Sequence, residues 1–129
     1  KCKIYVVNLT KKEIFMITLY HAPGSCSLAV KAALALSGLE HQVKVVDAAA
    51  GEQFSPEFIK INPLSKVPAL IVGEDIITEG AAILQYISEI APNANLLPAV
   101  GTMERAQALK WMMLREFLSH LVTVMMKQT

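Results

Sequence analysis

Residues 54–87 read FSPEFIKINPLSKVPALIVGEDIITEGAAILQYI, and this stretch decides the fold of the chain. Its centre holds two short apolar runs, Val67 to Val72 and Ile76-Ile77, whose branched residues favour β-strands. Gly73-Glu74-Asp75 lies between them and has the composition of a tight turn. Because three residues are too few for a crossover connection, the two runs are predicted to pair as an antiparallel hairpin.

A helix is predicted on each side of this hairpin. Ser55-Pro56-Glu57 has the residues preferred at a helix start, and Asn62-Pro63 ends that first helix. Thr78 is predicted to cap the second helix, which runs from Glu79 to about Ile90. The residues expected to face inward from the second helix are Ala82, Ile83, Tyr86, Ile87 and Ile90.

The preceding part of the chain, from Met16, predicts a strand–helix–strand unit. Its strands are Ile17 to Tyr20 and Gln42 to Val46, and its helix covers residues 27–37 before a glycine stops it. Residues 48–54 are predicted as a loop. One face of the helix is predicted to contain Leu28, Ala32 and Leu36, with Ala29 and Ala33 beside them.

The predicted order of elements is therefore βαβ followed by αββα. A parallel pair joined by a helix, followed by a hairpin between helices, predicts an α/β fold with a mixed four-stranded sheet, a thioredoxin-like arrangement. Residues 92–98 form a linker rich in Asn and Pro, and Thr102 is predicted to cap a last helix from Met103. The apolar stripe of that helix is expected to contain Ala106, Leu109, Met113, Phe117 and Leu121.

Residues 1–15 differ in character from the sequence that follows, and two interpretations are open. Ile4 to Val7 would be an added β-strand, or the whole segment would be upstream sequence outside the fold. We favour the second interpretation, because the pattern from Met16 onward is complete without these residues.

Length and composition exclude several classes of protein. The chain has 129 residues, 53% of them hydrophobic, which is enough for a compact domain with a core. Its net charge of +1 comes with scattered basic residues, so we expect no nucleic-acid partner. No apolar run reaches the roughly 18 residues of a membrane span, and no secretory signal is recognisable. We therefore expect no membrane partner and a cytoplasmic location.

The cysteines and histidines do not suggest disulfide or metal chemistry. Cys2 and Cys26 are too few for a disulfide framework. His21, His41 and His120 lie far apart in the sequence, and no group of ligands has metal-site spacing. We therefore expect no metal.

Cys26 is the first candidate for chemistry. It follows Pro23-Gly24-Ser25 at a predicted strand-to-helix turn, where free N–H groups and the helix dipole favour a thiolate. The residues alone leave an inert buried cysteine as an equal alternative. A dithiol oxidoreductase is not expected, since no second cysteine lies three residues away.

Two further positions are candidates for binding. A proline at a strand start, as in Val67-Pro68, is costly unless its geometry is required, although an ordinary trans proline is the alternative. Glu79-Gly80 opens the helix after the hairpin, where free N–H groups bind anions. Compensation of the helix dipole would explain Glu79 equally well.

Three segments together resemble the first domain of the beta class of glutathione S-transferases. They are TLYHAPGSCSLAVKAALALSGLE, FSPEFIKINPLSKVPALIV and ITEGAAILQYI, and the resemblance covers Met16 to about Leu97. It implies a bacterial-type transferase with glutathione as co-substrate and no metal. It also implies three regions, namely residues 1–15 upstream of the fold, 16–97 as the thioredoxin-like domain, and 98–129 as the start of an all-helical second domain.

The resemblance also implies roles for individual residues. Cys26 would contact the thiol of glutathione and could form a mixed disulfide with it, with Ser25 and Ser27 as alternative hydroxyl donors to that sulfur or as helix caps. Pro68 would be cis, so that the main chain of Val67 pairs with the cysteinyl part of glutathione. Glu79 and Gly80 would hold the γ-glutamyl end.

The sequence departs from the family pattern in several places. Gly80 replaces the usual serine, and residues 47–50, Asp-Ala-Ala-Ala, lack the basic residue expected near the glycyl carboxylate. The family's second domain has roughly 120 residues, so we interpret the chain as truncated or frame-shifted. Trp111 falls where the family has a tryptophan, and His120 falls where a beta-class histidine contributes to the site, although the surrounding residues do not resemble the family.

The preferred hypothesis from sequence is a glutathione transferase. Glutathione, bound as a thiolate, would attack a hydrophobic electrophile or exchange with a disulfide. The alternatives are a non-catalytic glutathione-binding fragment and a monothiol glutaredoxin-like redox protein that uses Cys26 alone. A homodimer is expected for the full-length family.

Overall fold

The computed structural model describes residues 16–126, with side-chain surroundings up to Leu118. The two interpretations of residues 1–15, including a strand from Ile4 to Val7, lie outside the described residues and stay predictions. No helix within this described range combines the length and the apolar character needed to cross a bilayer.

The described chain forms a four-stranded sheet with helices packed against it. The strands are β1 (Ile17–His21), β2 (His41–Val45), β3 (Ala69–Val72) and β4 (Asp75–Thr78), in the spatial order β2-β1-β3-β4. The helices are α1 (Ser27–Ser37), α2 (Pro56–Ile61), α3 (Gly80–Ile90) and α4 (Met103–Met126). Short 3-10 turns cover Glu52–Phe54 and Pro92–Ala94. The predicted α/β, thioredoxin-like arrangement with a mixed sheet is confirmed.

Strand β1 is central and pairs with neighbours of opposite direction. It runs parallel to β2, with Leu19 opposite Val43, and antiparallel to β3, with Leu19 opposite Leu70. Strand β4 continues the sheet as the antiparallel partner of β3, with Leu70 opposite Ile77. The hairpin predicted from Gly73-Glu74-Asp75 is therefore confirmed.

Successive side chains along each strand point to opposite faces of the sheet, and different helices pack on the two faces. On one face, β1 and β3 pack against α1 and α3, and the cluster that results is the main core. Its buried members are Ile17, Leu19, Val30, Ala33, Leu34, Leu70, Val72, Ile83 and Ile87. On the other face, Tyr20 of β1 meets Phe58 of α2 edge to face, with ring centroids 5.7 Å apart.

The buried face of α1 differs from the predicted one. Leu28 and Leu36 are 58% and 71% exposed, whereas Val30 and Leu34 are fully buried. Apolar residues occur on almost every side of this helix, so their periodicity does not select a face. The side that packs is set by β1 and α3, which meet Val30 and Leu34 in the core.

Of three helix N-terminal caps predicted from the sequence, two are confirmed and one is wrong. Ser55 accepts from the N–H of Phe58, and Thr102 accepts from the N–H of Arg105. Thr78 does not cap α3, since it belongs to β4, and Glu79 occupies the cap position with φ 70°. Within α3, Ile83 and Ile87 are buried as predicted, while Ala82 and Ile90 are exposed.

Helix α4 is attached to the rest of the fold near its beginning. The guanidinium of Arg105 donates to Glu89 of α3 at 3.3 Å and to the carbonyl of Pro98 at 3.2 Å. Further along, Met113 and Phe117 of the predicted apolar stripe are more than 60% exposed. The stripe therefore leaves much of its apolar surface uncovered in the described part of the chain.

Two alanine substitutions in α1 test which face is buried. Leu34→Ala should lower the free energy of unfolding by about 2–5 kcal/mol, because it empties a fully buried site. Leu36→Ala, two residues away on the exposed side, should change it by less than about 0.5 kcal/mol. Urea unfolding followed by circular dichroism measures both, and equal losses would contradict the observed orientation of α1.

Candidate functional site

The site is centred on Cys26, in the connection between β1 and α1. Cys26 occupies the cap position of α1, and its Sγ donates to the carbonyl oxygen of Val67 at 3.5 Å. The Val67-Pro68 bond is cis, as the resemblance implied. Residues 41 positions apart in the sequence therefore meet at one point, which lies at the end of β1 and just before β3.

A cleft of about 250 Å³ opens at this point. The sequence-predicted residues that line it are Ser25, Cys26, Val67, Pro68 and Glu79. Gly80 lies against its edge, where an added Cβ would be 3.9 Å from Cγ of Pro68 and 3.4 Å from Oε2 of Glu116. The structure thus brings together the three separate segments in which the candidate residues were found.

The two serines beside Cys26 have different surroundings. Ser27 is fully buried, and its hydroxyl bonds to Nδ1 of His21 at 2.7 Å and to Oγ of Ser25 at 2.6 Å. Ser25 is only partly buried and lines the cleft. The sequence interpretation of Ser27 as a hydroxyl donor to a bound sulfur does not fit this geometry, because its hydroxyl is engaged beneath the cleft. Ser25 remains the candidate donor.

The expected acidity of Cys26 is wrong in sign. Burial raises the pKa of its thiol, and the carboxylate of Glu116 raises that pKa further. A main-chain hydrogen bond and the guanidinium of Arg115 act in the opposite direction and do not outweigh them. The helix N-terminus is therefore overridden by burial and by a carboxylate from α4, so Cys26 is a neutral thiol at neutral pH.

Sequence analysis missed several residues of the cleft. The sequence predicts Asn62 only as the end of a helix, yet its side chain donates to the carbonyl of Lys66 at 2.8 Å and accepts from the N–H of Leu64 at 3.0 Å. These bonds shape the loop before the cis proline, in which Ser65 has φ 55°. Lys66 itself lines the cleft. Its position directly before Val67-Pro68 was the available signal.

Gln53 and Lys66 provide polar groups that the predicted site lacked. Oε1 of Gln53 is buried in the cleft wall and has no hydrogen-bond partner in the described structure. A buried acceptor without a partner is costly, so a ligand N–H is the group this position suits. Lys66, from the loop after α2, is a basic residue that lines the same cleft, whereas residues 47–50 contain none.

A second, more open volume of about 870 Å³ adjoins Ser25 and Cys26. Its walls come from α1, α3 and α4 and are mostly apolar, with Arg115 and Glu116 as the charged members. The apolar side chains include Leu28, Val30, Leu84, Met112 and Leu118. A hydrophobic molecule in this volume would lie beside the same residues that line the first cleft.

Two further expectations concern His120 and metal binding. His120 belongs to α4, at a position whose side chain lies outside the described surroundings, and its role stays a prediction. Among residues 16–126, no three His, Cys, Asp or Glu side chains come together as a metal site would require.

The electrostatic explanation for Cys26 predicts opposite effects for two neighbouring substitutions. The pH midpoint of alkylation by iodoacetamide should lie above that of a free cysteine, which is about 8.5. Glu116→Gln should lower this midpoint and Arg115→Gln should raise it, because the two charges act on the thiol with opposite sign. Mass spectrometry of the peptide containing Cys26 follows the reaction. Shifts of the same sign in both variants would contradict the explanation.

Comparisons with known proteins agree with this geometry. The family description "Glutathione S-transferase, N-terminal domain" matches residues 16–89. A zeta-class glutathione S-transferase of Euphorbia esula is 51% identical over 75 residues, covering 58% of this chain and 33% of that protein. Glutathione S-transferase GST-4.5 of Xanthomonas campestris pv. campestris is 40% identical over 93 residues, covering 72% of this chain and 45% of that protein.

A solved structure extends the match to three dimensions. A glutathione transferase homologue from Sulfitobacter with bound glutathione is 42% identical, with a TM-score of 0.64 over 67% of this chain and 42% of that one. The chain spans less than half the length of these relatives. Its sheet and first three helices correspond to their N-terminal domain, and α4 to a helix of their second domain. The chain belongs to the glutathione S-transferase family.

Proposed function

We propose that this chain is the glutathione-binding part of a glutathione transferase that delivers the thiolate of glutathione to a hydrophobic electrophile. The observation that carries the proposal is the cleft in which Ser25, Cys26 and the main chain of Val67 converge with Glu79. A relative with 42% identity was solved with glutathione bound, and the family description of the N-terminal domain matches residues 16–89 of this chain. Because the chain spans less than half of its relatives, catalysis is proposed for the whole enzyme.

Each end of glutathione has a complementary group in the cleft. The main chain of Val67 suits the peptide groups of the cysteinyl residue, since an extended ligand pairs with exposed backbone in the manner of an added strand. Glu79 suits the ammonium group of the γ-glutamyl end, and the N-terminus of α3 at Gly80 suits its carboxylate. Lys66 suits the glycyl carboxylate, and Oε1 of Gln53 suits an amide N–H.

The chemistry of the sulfur favours conjugation over disulfide exchange. Cys26 has a raised pKa, so its sulfur is mostly a thiol and a weak nucleophile at neutral pH. A monothiol redox protein needs a cysteine with a lowered pKa, so that its sulfur is a nucleophilic thiolate. A neutral thiol and the hydroxyl of Ser25 are instead hydrogen-bond donors, and donors stabilise the thiolate of a bound glutathione. The electrophile would occupy the adjoining apolar volume beside them.

A second candidate function is cis–trans isomerisation. A maleylacetoacetate isomerase of Rattus norvegicus is 41% identical over 76 residues, covering 57% of this chain and 35% of that protein. Arg115 beside the apolar volume gives a cation that a substrate carboxylate would meet. Assays with maleylacetoacetate and with an aryl halide, each with glutathione, separate the zeta-class interpretation from the beta-class one.

The wider setting follows the family. We propose that residues 16–97 form the glutathione-binding domain and that residues 98–129 begin the helical domain, in a homodimer located in the cytoplasm. The uncovered apolar surface of α4, including Met113 and Phe117, supports packing against further protein.

Calorimetry with glutathione tests the proposal through Glu79. Glu79→Gln should weaken binding about tenfold, because a charge-assisted hydrogen bond contributes about 1.5–3 kcal/mol. Glu74→Gln, an equal change in an exposed turn, is the matched control and should leave the affinity unchanged. Equal affinities of all three proteins, or no binding to the unchanged chain, would contradict the proposal.

Gly80→Ser should strengthen glutathione binding by about three- to tenfold. It restores the hydroxyl donor that the family usually has, and one net hydrogen bond contributes about 0.5–1.5 kcal/mol. The new Cβ is tolerated, since its nearest neighbours lie at 3.4 and 3.9 Å. Gly80→Ala adds the Cβ without the hydroxyl and should show no gain. A gain in both variants would assign the effect to helix stability instead.

A further inference from the structure

A buried chain of polar groups leads from the sheet to the cleft. His21, the last residue of β1, is 4% exposed, and Ser27, the first residue of α1, is fully buried. Nδ1 of His21 lies 2.7 Å from Oγ of Ser27, which lies 2.6 Å from Oγ of Ser25. Ser25 is the member that lines the cleft, beside Cys26. None of the roles proposed above uses His21.

Counting hydrogens gives this chain a direction. Oγ of Ser25 donates to the carbonyl of Ala22 at 2.8 Å, and a hydroxyl has only one hydrogen. The short bond between the two serines must therefore be donated by Ser27, which leaves Ser27 no hydrogen for His21. The 2.7 Å bond to His21 is consequently donated by its Nδ1–H. Oγ of Ser27 also lies 3.3 Å from the carbonyl of Ala22 and accepts from the N–H of Ala22 at 3.2 Å. Its single hydrogen goes to the shorter contact, the 2.6 Å one with Ser25.

This direction frees Ser25 as a donor. Its oxygen accepts from the hydroxyl of Ser27 and also from the N–H of Ser27 at 3.2 Å, so its acceptor positions are filled from within the protein. Its own hydrogen can turn from the carbonyl of Ala22 toward the cleft, because that carbonyl also accepts from the N–H of Ser25 at 3.3 Å and keeps this partner. A thiolate there is the stronger acceptor, because hydrogen bonds to charged groups are roughly twice as strong as neutral ones.

We propose that His21 is a positioning residue, which through Ser27 holds the hydroxyl of Ser25 as a donor to the thiolate of bound glutathione. The inference rests on the proposed function. The thiol proton of glutathione leaves to solvent, and no proton passes along the hydrogen bonds between His21, Ser27 and Ser25. Burial lowers the pKa of His21, and the charge of Lys31 lowers it further, so His21 is neutral at neutral pH and is not the base.

Two amide substitutions of His21 test the direction of the hydrogen bonds from His21 through Ser27 to Ser25. Asparagine places an amide group near the position of Nδ1, whereas glutamine places it near the position of Nε2. His21→Asn should therefore keep the donor to Ser27, and His21→Gln should lose it. The ultraviolet absorbance of the thiolate across a pH series gives the pKa of the thiol of bound glutathione. Of these two variants, only His21→Gln should raise this pKa, by about one unit, which is a tenfold loss of thiolate stabilisation.

Ser27→Ala provides a second test that leaves His21 in place. It interrupts the chain at its middle member and should raise the same pKa by a similar amount. Affinity for S-methylglutathione, which has no thiolate, should change less than about twofold in all three variants, because the rest of the cleft is untouched. A merely structural role for His21 would instead weaken both ligands together.

The outcomes separate this inference from the proposed function. If S-methylglutathione does not bind the unchanged chain, the proposed function is overturned and this inference with it. If it binds, and the pKa of bound glutathione is the same in the unchanged chain, His21→Gln and Ser27→Ala, only the positioning role is overturned. Loss of the thiolate in His21→Asn as well as in His21→Gln would also overturn it.

Discussion

The antiparallel pairing of β1 with β3 is the constraint on which the site depends. Because the two strands run in opposite directions, with Tyr20 opposite Ala69, the residues after β1 lie beside those before β3. This pairing brings the sulfur of Cys26 and the carbonyl of Val67 together across 41 positions of sequence. The hairpin to β4 then returns the chain to the same end of the sheet, where Glu79 joins them. One register therefore assembles three segments of the cleft.

The order of elements was predictable from sequence because each has a local signal. Ser55 and Thr102 cap helices as expected, and turn residues separate the strands of the hairpin. The orientation of α1 was not predictable, since Leu28 and Leu36 are as apolar as Val30 and Leu34, and only tertiary packing distinguishes them. The acidity of Cys26 was not predictable either. Its sign depends on burial and on Glu116, whose distance from Cys26 no local pattern reveals.

The charges of the cleft suit a ligand that carries both signs. Glu79 and Lys66 both line it and come from different connections of the sheet, so a cation and an anion can be held at separate places. Glutathione has one ammonium group and two carboxylates. A site that binds it therefore needs charges of both signs at separate places rather than one cluster of a single sign. The candidate residues found from sequence account for the sulfur, the backbone and the acidic group. Gln53 and Lys66, which complete the set, lie in two connections outside the strands, and the one that holds Lys66 is shaped by Asn62.

The attachment of α4 at Arg105 has a mechanical consequence. Arg105 holds the beginning of this helix through Glu89 and Pro98, while Glu116, eleven residues later, lines the cleft. At 1.5 Å per residue the helix is a lever arm of about 16 Å between the two points. A tilt of a few degrees about the anchored end displaces the carboxylate of Glu116 by about an ångström, and so changes the field at the sulfur of Cys26. Packing on the exposed side of α4 that displaced this carboxylate would therefore change the pKa of a thiol on the other side of the helix.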